Sequence, residues 1–304
     1  MSTVMDVQER RKYIQQFTVN SVAENGCKRI LIQLFGLMGH GKSSLINSCI
    51  YTLGDKEYEM KVEASGSDGS HTTERITYQL TECITMVDNR GFQYMADNEF
   101  GQVYAQLGNF FPLNQKVEWK KDFVELMSKV EDSDATPNYS DFIVPIFVHS
   151  AKSVMSDTEI SSVKTFFSGC KNMTGVYPIV VLTHRLSKTD SNLEGKFRRT
   201  GAEQILEVEN YTGRDNIKTR GRCSDLLAVI ENALRDVKFR IEQNWNPVTE
   251  RIKRKKFLLK FMHDFAIAEK EKEAVKKVQE ARRNEYNRLK EKASNMWFAR
   301  FPEF

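Results

Sequence analysis

The chain has 304 residues, 40% hydrophobic and 28% charged, with 45 basic residues against 41 acidic ones for a net +4. That composition builds a sizeable core, excludes disorder throughout, and is too mildly basic to argue for nucleic acid. Five widely spaced cysteines without a CxxC pair, no apolar run near the roughly 18–20 residues of a membrane span, and a polar Met1–Lys12 argue against a disulfide scaffold, a zinc site, a spanning helix and a secretory leader.

A reduced, cytoplasmic protein is the expectation, opening with a helical lead-in over residues 1–25. Lys28–Phe35 is an apolar run rich in branched side chains, halted by Gly36, as a strand buried on both faces requires. A helix follows from Lys42 to about Leu53, with Gly54 as its stop signal. Residues 61–72 hold Ser, Gly and Asp in quantity and read as a loop. Arg75–Leu80 alternates apolar and polar residues and predicts an edge or half-buried strand; Cys83–Asp88 predicts another. Residues 92–141 read as an insertion with short helices, Phe123, Leu126, Met127 and Val130 lying at helical spacing ahead of a polar loop at 132–141. Strands return at Phe142–Val148 and Tyr177–Leu182, with a helix at Ser156–Phe167 between them. A short strand near Gln204–Val208 and a helix over Ser224–Phe239 complete the pattern. Alternating strands and helices mean an α/β fold with a mostly parallel central sheet, here a three-layer domain over residues 26–243.

Asn244-Trp245-Asn246-Pro247 interrupts that pattern. Glu250–Lys292 has no glycine or proline and carries 15 basic against 8 acidic residues, a net +7 that leaves −3 on the rest of the chain. Leu258, Phe261, Phe265, Ala268, Val275, Val278, Tyr286, Leu289 and Ala293 recur mostly by threes and fours, so residues 248–304 predict a basic amphipathic helical extension. Lys272, Gln279 and Arg282 break the heptads of a long continuous coiled coil. Three roles stay open for it: packing on the domain, self-association or docking of a protein partner, and contact with an anionic membrane surface. The last is motivated by Lys253-Arg254-Lys255-Lys256 beside Phe257-Leu258-Leu259. No nucleic-acid module is present, and no specific nucleic acid is expected.

Gly36-Leu-Met-Gly-His-Gly-Lys42-Ser43 fits G-x-x-x-x-G-K-S/T, after a predicted strand and opening a predicted helix. Glycines there let successive N–H groups wrap a phosphate at a helix N-terminus. Gly36, Gly39, His40, Gly41, Lys42, Ser43 and Ser44 are therefore expected to contact nucleotide. Lys42 bridges the outer phosphates as a catalytic group, and the Ser43 hydroxyl ligates Mg2+. Asp88-Asn89-Arg90-Gly91 reads as D-x-x-G at a strand end, 46 residues past Lys42. Asp88 would hold Mg2+ through water, and the Gly91 N–H would meet the terminal phosphate. In the loop His71-Thr72-Thr73-Glu74, Thr72 or Thr73 offers a hydroxyl to Mg2+ as a switch loop does; Thr73 is taken forward as metal ligand and catalytic residue.

The base loop departs from the usual N/T-K-x-D. Thr183-His184-Arg185-Leu186 follows the late strand, keeping threonine, replacing lysine with histidine and lacking the aspartate, with Asp190 four residues further on. Thr183 and His184 are the expected base contacts, guanine the expected base, and an adenine-nucleotide ATPase the alternative. Phe35–Ser48, Thr72-Thr73 with Tyr78, Asp88 and Gly91, the long insertion, Ser156-Asp157 opening a helix, the strand ending in Leu-Thr and Val208-Glu-Asn-Tyr211 together resemble the GTPase domain of the interferon-induced protein 44 family over residues 25–240. The Thr-His start of the base loop also looks like the immune-associated and chloroplast-import GTPases. The resemblance implies cytoplasmic binding of GTP and GDP and interferon-linked innate defence; Arg185-Leu186 departs from it.

Two residues predict slow turnover. Phe92 stands where Ras-like enzymes carry the glutamine that orients water, and Met38 crowds the position an arginine finger approaches. The expected behaviour is a slow hydrolase or an assembly-regulated nucleotide switch, with a non-catalytic nucleotide-gated scaffold as the rival. Arg90 reads as a surface arginine.

Overall fold

The computed structural model describes residues 5–19, 26–54, 57–61, 74–117, 123–133, 141–243 and 245–300, with residues 123, 124, 132 and 293–300 as backbone only. Its elements run α1 (Val7–Gln16), β1 (Arg29–Phe35), α2 (Lys42–Leu53), β2 (Glu74–Gln79), β3 (Ile84–Asp88), α3 (Asp97–Leu107), β4 (Gln115–Lys116), α4 (Phe123–Asp132), β5 (Asp141–Ser150), α5 (Asp157–Thr174), β6 (Ile179–Thr183), α6 (Leu193–Arg199), β7 (Ile205–Glu207), α7 (Arg220–Glu242) and α8 (Pro247–Arg300).

The strands form one sheet in the order β4-β2-β3-β1-β5-β6-β7. β1 pairs in parallel with β3 and β5, and β6 continues that direction between β5 and β7, while β2 runs antiparallel to both β3 and β4. The sheet is an α/β sheet covered on both faces, which explains why β1 and β5 read as near-continuous apolar runs. Along β5, Phe142, Val144, Ile146 and Val148 join a core with Leu45 and Ile46 of α2 and Leu226, Ile230 and Leu234 of α7. Phe147 points the other way, onto Phe166 and Phe167 of α5 and Phe197 of α6. Each such side chain, fully buried, contributes roughly 1.5–3 kcal/mol.

The observed boundaries differ from the expected ones where capping decides. α5 runs past Phe167 to Thr174. Ser156 and Glu159 form a reciprocal capping box at its start, and Gly175, at φ +81°, closes it. α7 starts at Arg220 because the Thr219 hydroxyl accepts from the Arg222 N–H. α6 escaped the sequence reading: its buried residues are only Leu193 and Phe197, too few for a period to show. α3 was legible only as part of an irregular insertion, because residues Glu99–Leu107 are buried all round and leave no polar face to mark a stripe. The loop read at 61–72 lies, apart from Lys61, outside the described residues.

The chain divides into two compact units, Met1–Leu258 and Leu259–Phe304. The first contains the root of α8. There Arg251 donates to the Ser133 carbonyl at 2.9 Å and hydroxyl at 3.1 Å, Phe257 meets Tyr104 edge-on at 5.5 Å, and Leu258 is fully buried. Within the run Lys253–Lys256, only Arg254 is drawn into the domain, while Lys253 and Lys256 are exposed. Arg254 is buried, its pKa pulled down to about 10 chiefly by that burial, and Lys253 is paired with Glu250 at 2.8 Å. In the second unit, side chains 269–292 are exposed, Val275, Val278, Tyr286 and Leu289 among them. No helix among the described residues is long and apolar enough to cross a membrane.

Candidate functional site

β1 ends at Phe35, and the chain reverses at once to open α2. A Cβ on Gly36 (φ +135°) would lie 2.2 Å from the Val148 carbonyl oxygen, so only glycine lets the turn pass so close to β5. Gly41 (φ +87°) precedes α2 without a side-chain cap, leaving the first amides of that helix to face the loop. Lys42 folds back over it, its Nζ donating to the carbonyls of Leu37 at 2.9 Å and Gly36 at 3.3 Å. An ammonium has three protons, so one remains. Burial lowers the pKa of Lys42, with Asp88 pulling it back up.

Asp88 ends β3 and is wholly buried. The Ser43 hydroxyl donates to its Oδ2 at 2.6 Å, while Oδ1 is buried without a partner. Burial raises the pKa of this carboxyl, against Lys42 and Ser43, which lower it. An orphaned carboxylate oxygen beside a serine hydroxyl suits a hard divalent cation. Among the described residues no group of three or more His, Cys, Asp or Glu could hold a metal ion. A cation here would take its other ligands from phosphate and water, as Mg2+ does. Thr72 and Thr73 lie outside the described residues.

Gly91 closes the wall opposite Lys42. A Cβ on it would sit 2.5 Å from Lys42 Nζ and 2.9 Å from the Gly36 oxygen. The Phe92 N–H donates to the Gly36 carbonyl at 3.1 Å, and the Met38 N–H to the Phe92 carbonyl at 3.0 Å. The Phe92 ring turns away from the loop and is buried against Phe100 and Phe166, at 5.7 and 5.3 Å. Its position is therefore set by the core. Glu99 accepts from the N–H groups of Gln93, Tyr94 and Met95 and holds the segment that follows. Arg90 is not simply a surface arginine: its guanidinium donates to the Val117 carbonyl at 2.6 Å, tying it to the insertion.

The far side is built from the ends of β5, β6 and β7. The Thr183 hydroxyl is fully buried and donates to the His40 carbonyl at 2.9 Å, so it joins two loops. His40 Nδ1 accepts the Ser150 N–H at 3.2 Å, which requires a neutral ring. Burial pulls the His40 pKa down to about 3, assisted by His149, Lys42 and His184. His184 sits at φ +57° with Nδ1 at 3.1 Å from the hydroxyls of both Ser150 and Thr183. Burial lowers its pKa, Lys152 adds to that, and Glu209 opposes it. Asn210 donates to the Gly41 carbonyl at 3.2 Å, and the Tyr211 N–H to Ser48 Oγ at 2.8 Å, so residues 210–211 are tied to the glycine turn and α2. Ser44, in the first turn of α2, accepts the Ser48 hydroxyl at its carbonyl at 2.7 Å.

The sequence reading missed Glu209. Its carboxylate accepts the Leu186 N–H at 2.9 Å, in the segment Thr183–Leu186 that follows β6. Arg185 is committed to Asp225 at 2.6 Å, and Asp190 to Lys196 at 2.8 Å. The signal was the Val208-Glu-Asn-Tyr211 element, read as a mark of resemblance and not as part of the site.

Lys42, the Ser43–Asp88 pair, Gly91, His40, Thr183 and His184 thus gather around one glycine turn at the carboxyl ends of a parallel sheet. No protein-family model matches the chain, and no curated protein matches it either.

Proposed function

We propose that the chain is a Mg2+-dependent guanine-nucleotide-binding protein with a P-loop, a slow GTP hydrolase or assembly-regulated switch. The carrying observation is the convergence of Lys42 Nζ, the Ser43–Asp88 pair and Gly91 on one turn at the ends of β1 and β3, where β5 departs to the other side. Open α/β sheets bind ligands at such a switch point. The α2 amides and the spare Lys42 proton would take the phosphates, and Ser43 and Asp88 the cation, which supplies charge neutralisation on the outer phosphates. His184 and Thr183 would frame the base, and the Glu209 carboxylate would accept the guanine N–H groups in place of the missing aspartate. The Phe92 side chain, buried and without a polar atom to orient water, supports slow turnover. The resemblance to the interferon-induced protein 44 family motivates the setting we propose, cytoplasmic innate defence. Equilibrium titrations with GTP, GDP and ATP, with and without Mg2+, test the reading. Binding of GTP and GDP strengthened by Mg2+ is expected; a preference for ATP, or no binding at millimolar nucleotide, overturns it.

A further inference from the structure

Among the described residues, Arg75 is the largest fully buried side chain. Its guanidinium donates through Nε to Asn89 Oδ1 at 2.9 Å, through Nη1 to the Phe111 carbonyl at 2.6 Å, and through Nη2 to Gln33 Oε1 at 3.2 Å. Among the described residues no carboxylate accepts a hydrogen bond from it. Burial pulls its pKa down to about 9, with Asp141 opposing and Arg29 adding to the fall. A buried charge without an ion-pair partner is costly, and apolar side chains of similar volume often replace such groups without loss of stability. Packing alone therefore does not account for a guanidinium here.

Its partners do. Asn89 is the second residue of the D-x-x-G turn, directly after Asp88. Its amide passes the link on, to Gln33 Oε1 at 3.2 Å and the Leu34 carbonyl at 3.3 Å. Gln33 in turn donates to the Leu107 carbonyl at 3.2 Å. Arg75 is also the second residue of β2, whose Ile76 pairs with Asp88, and β2 begins at the residue after Thr73. One planar fork thus ties β2 to the turn that follows Asp88, to β1 and to the segment after α3.

We infer that Arg75 is a positioning residue for the cation end of the site, holding Asp88 through Asn89 and through the pairing of β2 with β3. The inference rests on the nucleotide-binding reading above. Neither Lys nor Gln reproduces a fork that serves three acceptors at once.

The test compares parent, Arg75→Gln and Arg75→Lys in GDP binding, first in EDTA and then across a Mg2+ titration. Positioning shells of this kind typically carry about 10–100-fold in metal affinity. Arg75→Gln is expected to need at least about 10-fold more Mg2+ for half-maximal strengthening, with its Mg2+-free affinity within about 2-fold of parent. Arg75→Lys, which keeps the charge and protects the result should Arg75→Gln not fold, is expected in between. A Mg2+ response in either folded variant identical to parent overturns the inference, as does an equal loss with and without Mg2+, the mark of general damage. A parent chain that binds no GDP overturns the nucleotide reading itself, and this inference with it.

Discussion

Replacing Phe92 by glutamine offers a water-positioning amide in the place where Ras-like enzymes have one, yet we expect the fold to suffer and hydrolysis not to improve. The ring is 1% exposed and packs edge-on against Phe100 and Phe166. Burying about 150 Å2 of aromatic surface at about 25 cal/mol per Å2 contributes about 4 kcal/mol, as an upper estimate. The new amide, if it stays inside without partners, costs about 1–3 kcal/mol more. A loss of up to about 5–7 kcal/mol follows, a large share of the about 5–15 kcal/mol that holds a domain together. Phe92→Leu keeps the site apolar and should cost less than about 2 kcal/mol. Urea unfolding followed by far-ultraviolet circular dichroism measures both, and single-turnover hydrolysis at saturating GTP measures the gain. A Phe92→Gln protein less than about 1 kcal/mol weaker than parent would show that the ring is not a core anchor. A large rate increase in that variant would show a site complete but for one amide, and would refute the reasoning.

Three further predictions follow from the same geometry. Lys42→Met should lower GDP affinity about 100-fold, yet leave stability at pH 7 unchanged or higher. Burial depresses the Lys42 pKa, so its charge costs stability at neutral pH, a cost relieved only as pH rises toward 10.5; titration and unfolding of the same preparation check both halves. His40 has its pKa lowered from 6.5 to about 3, so the fold holds it neutral while the unfolded chain takes up a proton. Its contribution is fully present above pH 6.5 and is lost as pH falls toward 3, at up to about 1.4 kcal/mol per pH unit. His40→Asn, whose Oδ1 can accept the Ser150 N–H, should flatten this acid limb in unfolding curves taken at pH 7, 6, 5 and 4; an unchanged slope contradicts it. Glu209→Gln should reduce the preference for GDP over ADP by about 10-fold or more, read from competition binding, and an unaltered preference would assign base reading elsewhere.

The parts of this molecule that follow a local rule were legible in its sequence. β1, Gly36 and the start of α2 announced themselves because a buried parallel strand, a glycine turn and a helix start each leave a pattern within a few residues. Asp88 followed as an acid at a strand end. The parts that depend on distant packing were not legible. Phe92 read as a missing glutamine, whereas its neighbours Phe100 and Phe166 lie 8 and 74 positions further along and make it a core residue. Arg254 read as one of four basic residues in a row, and only the helical turn that buries it tells it from Lys253 and Lys256. Arg75 looked like a polar position in an alternating strand, since nothing local marks a guanidinium that reaches three other segments. Glu209 was hidden because it reaches the Leu186 N–H across 23 residues of chain.

Hydrogen–deuterium exchange of the parent chain, with and without saturating GDP and Mg2+, tests the central claim most directly, because it locates the ligand as well as detecting it. The account predicts slowed exchange at the amides of residues 37–44, at Asp88–Gly91 and around Thr183–Leu186, lost in Lys42→Met. Unchanged exchange over residues 37–44 in the presence of GDP and Mg2+, or protection confined to other segments, would contradict it.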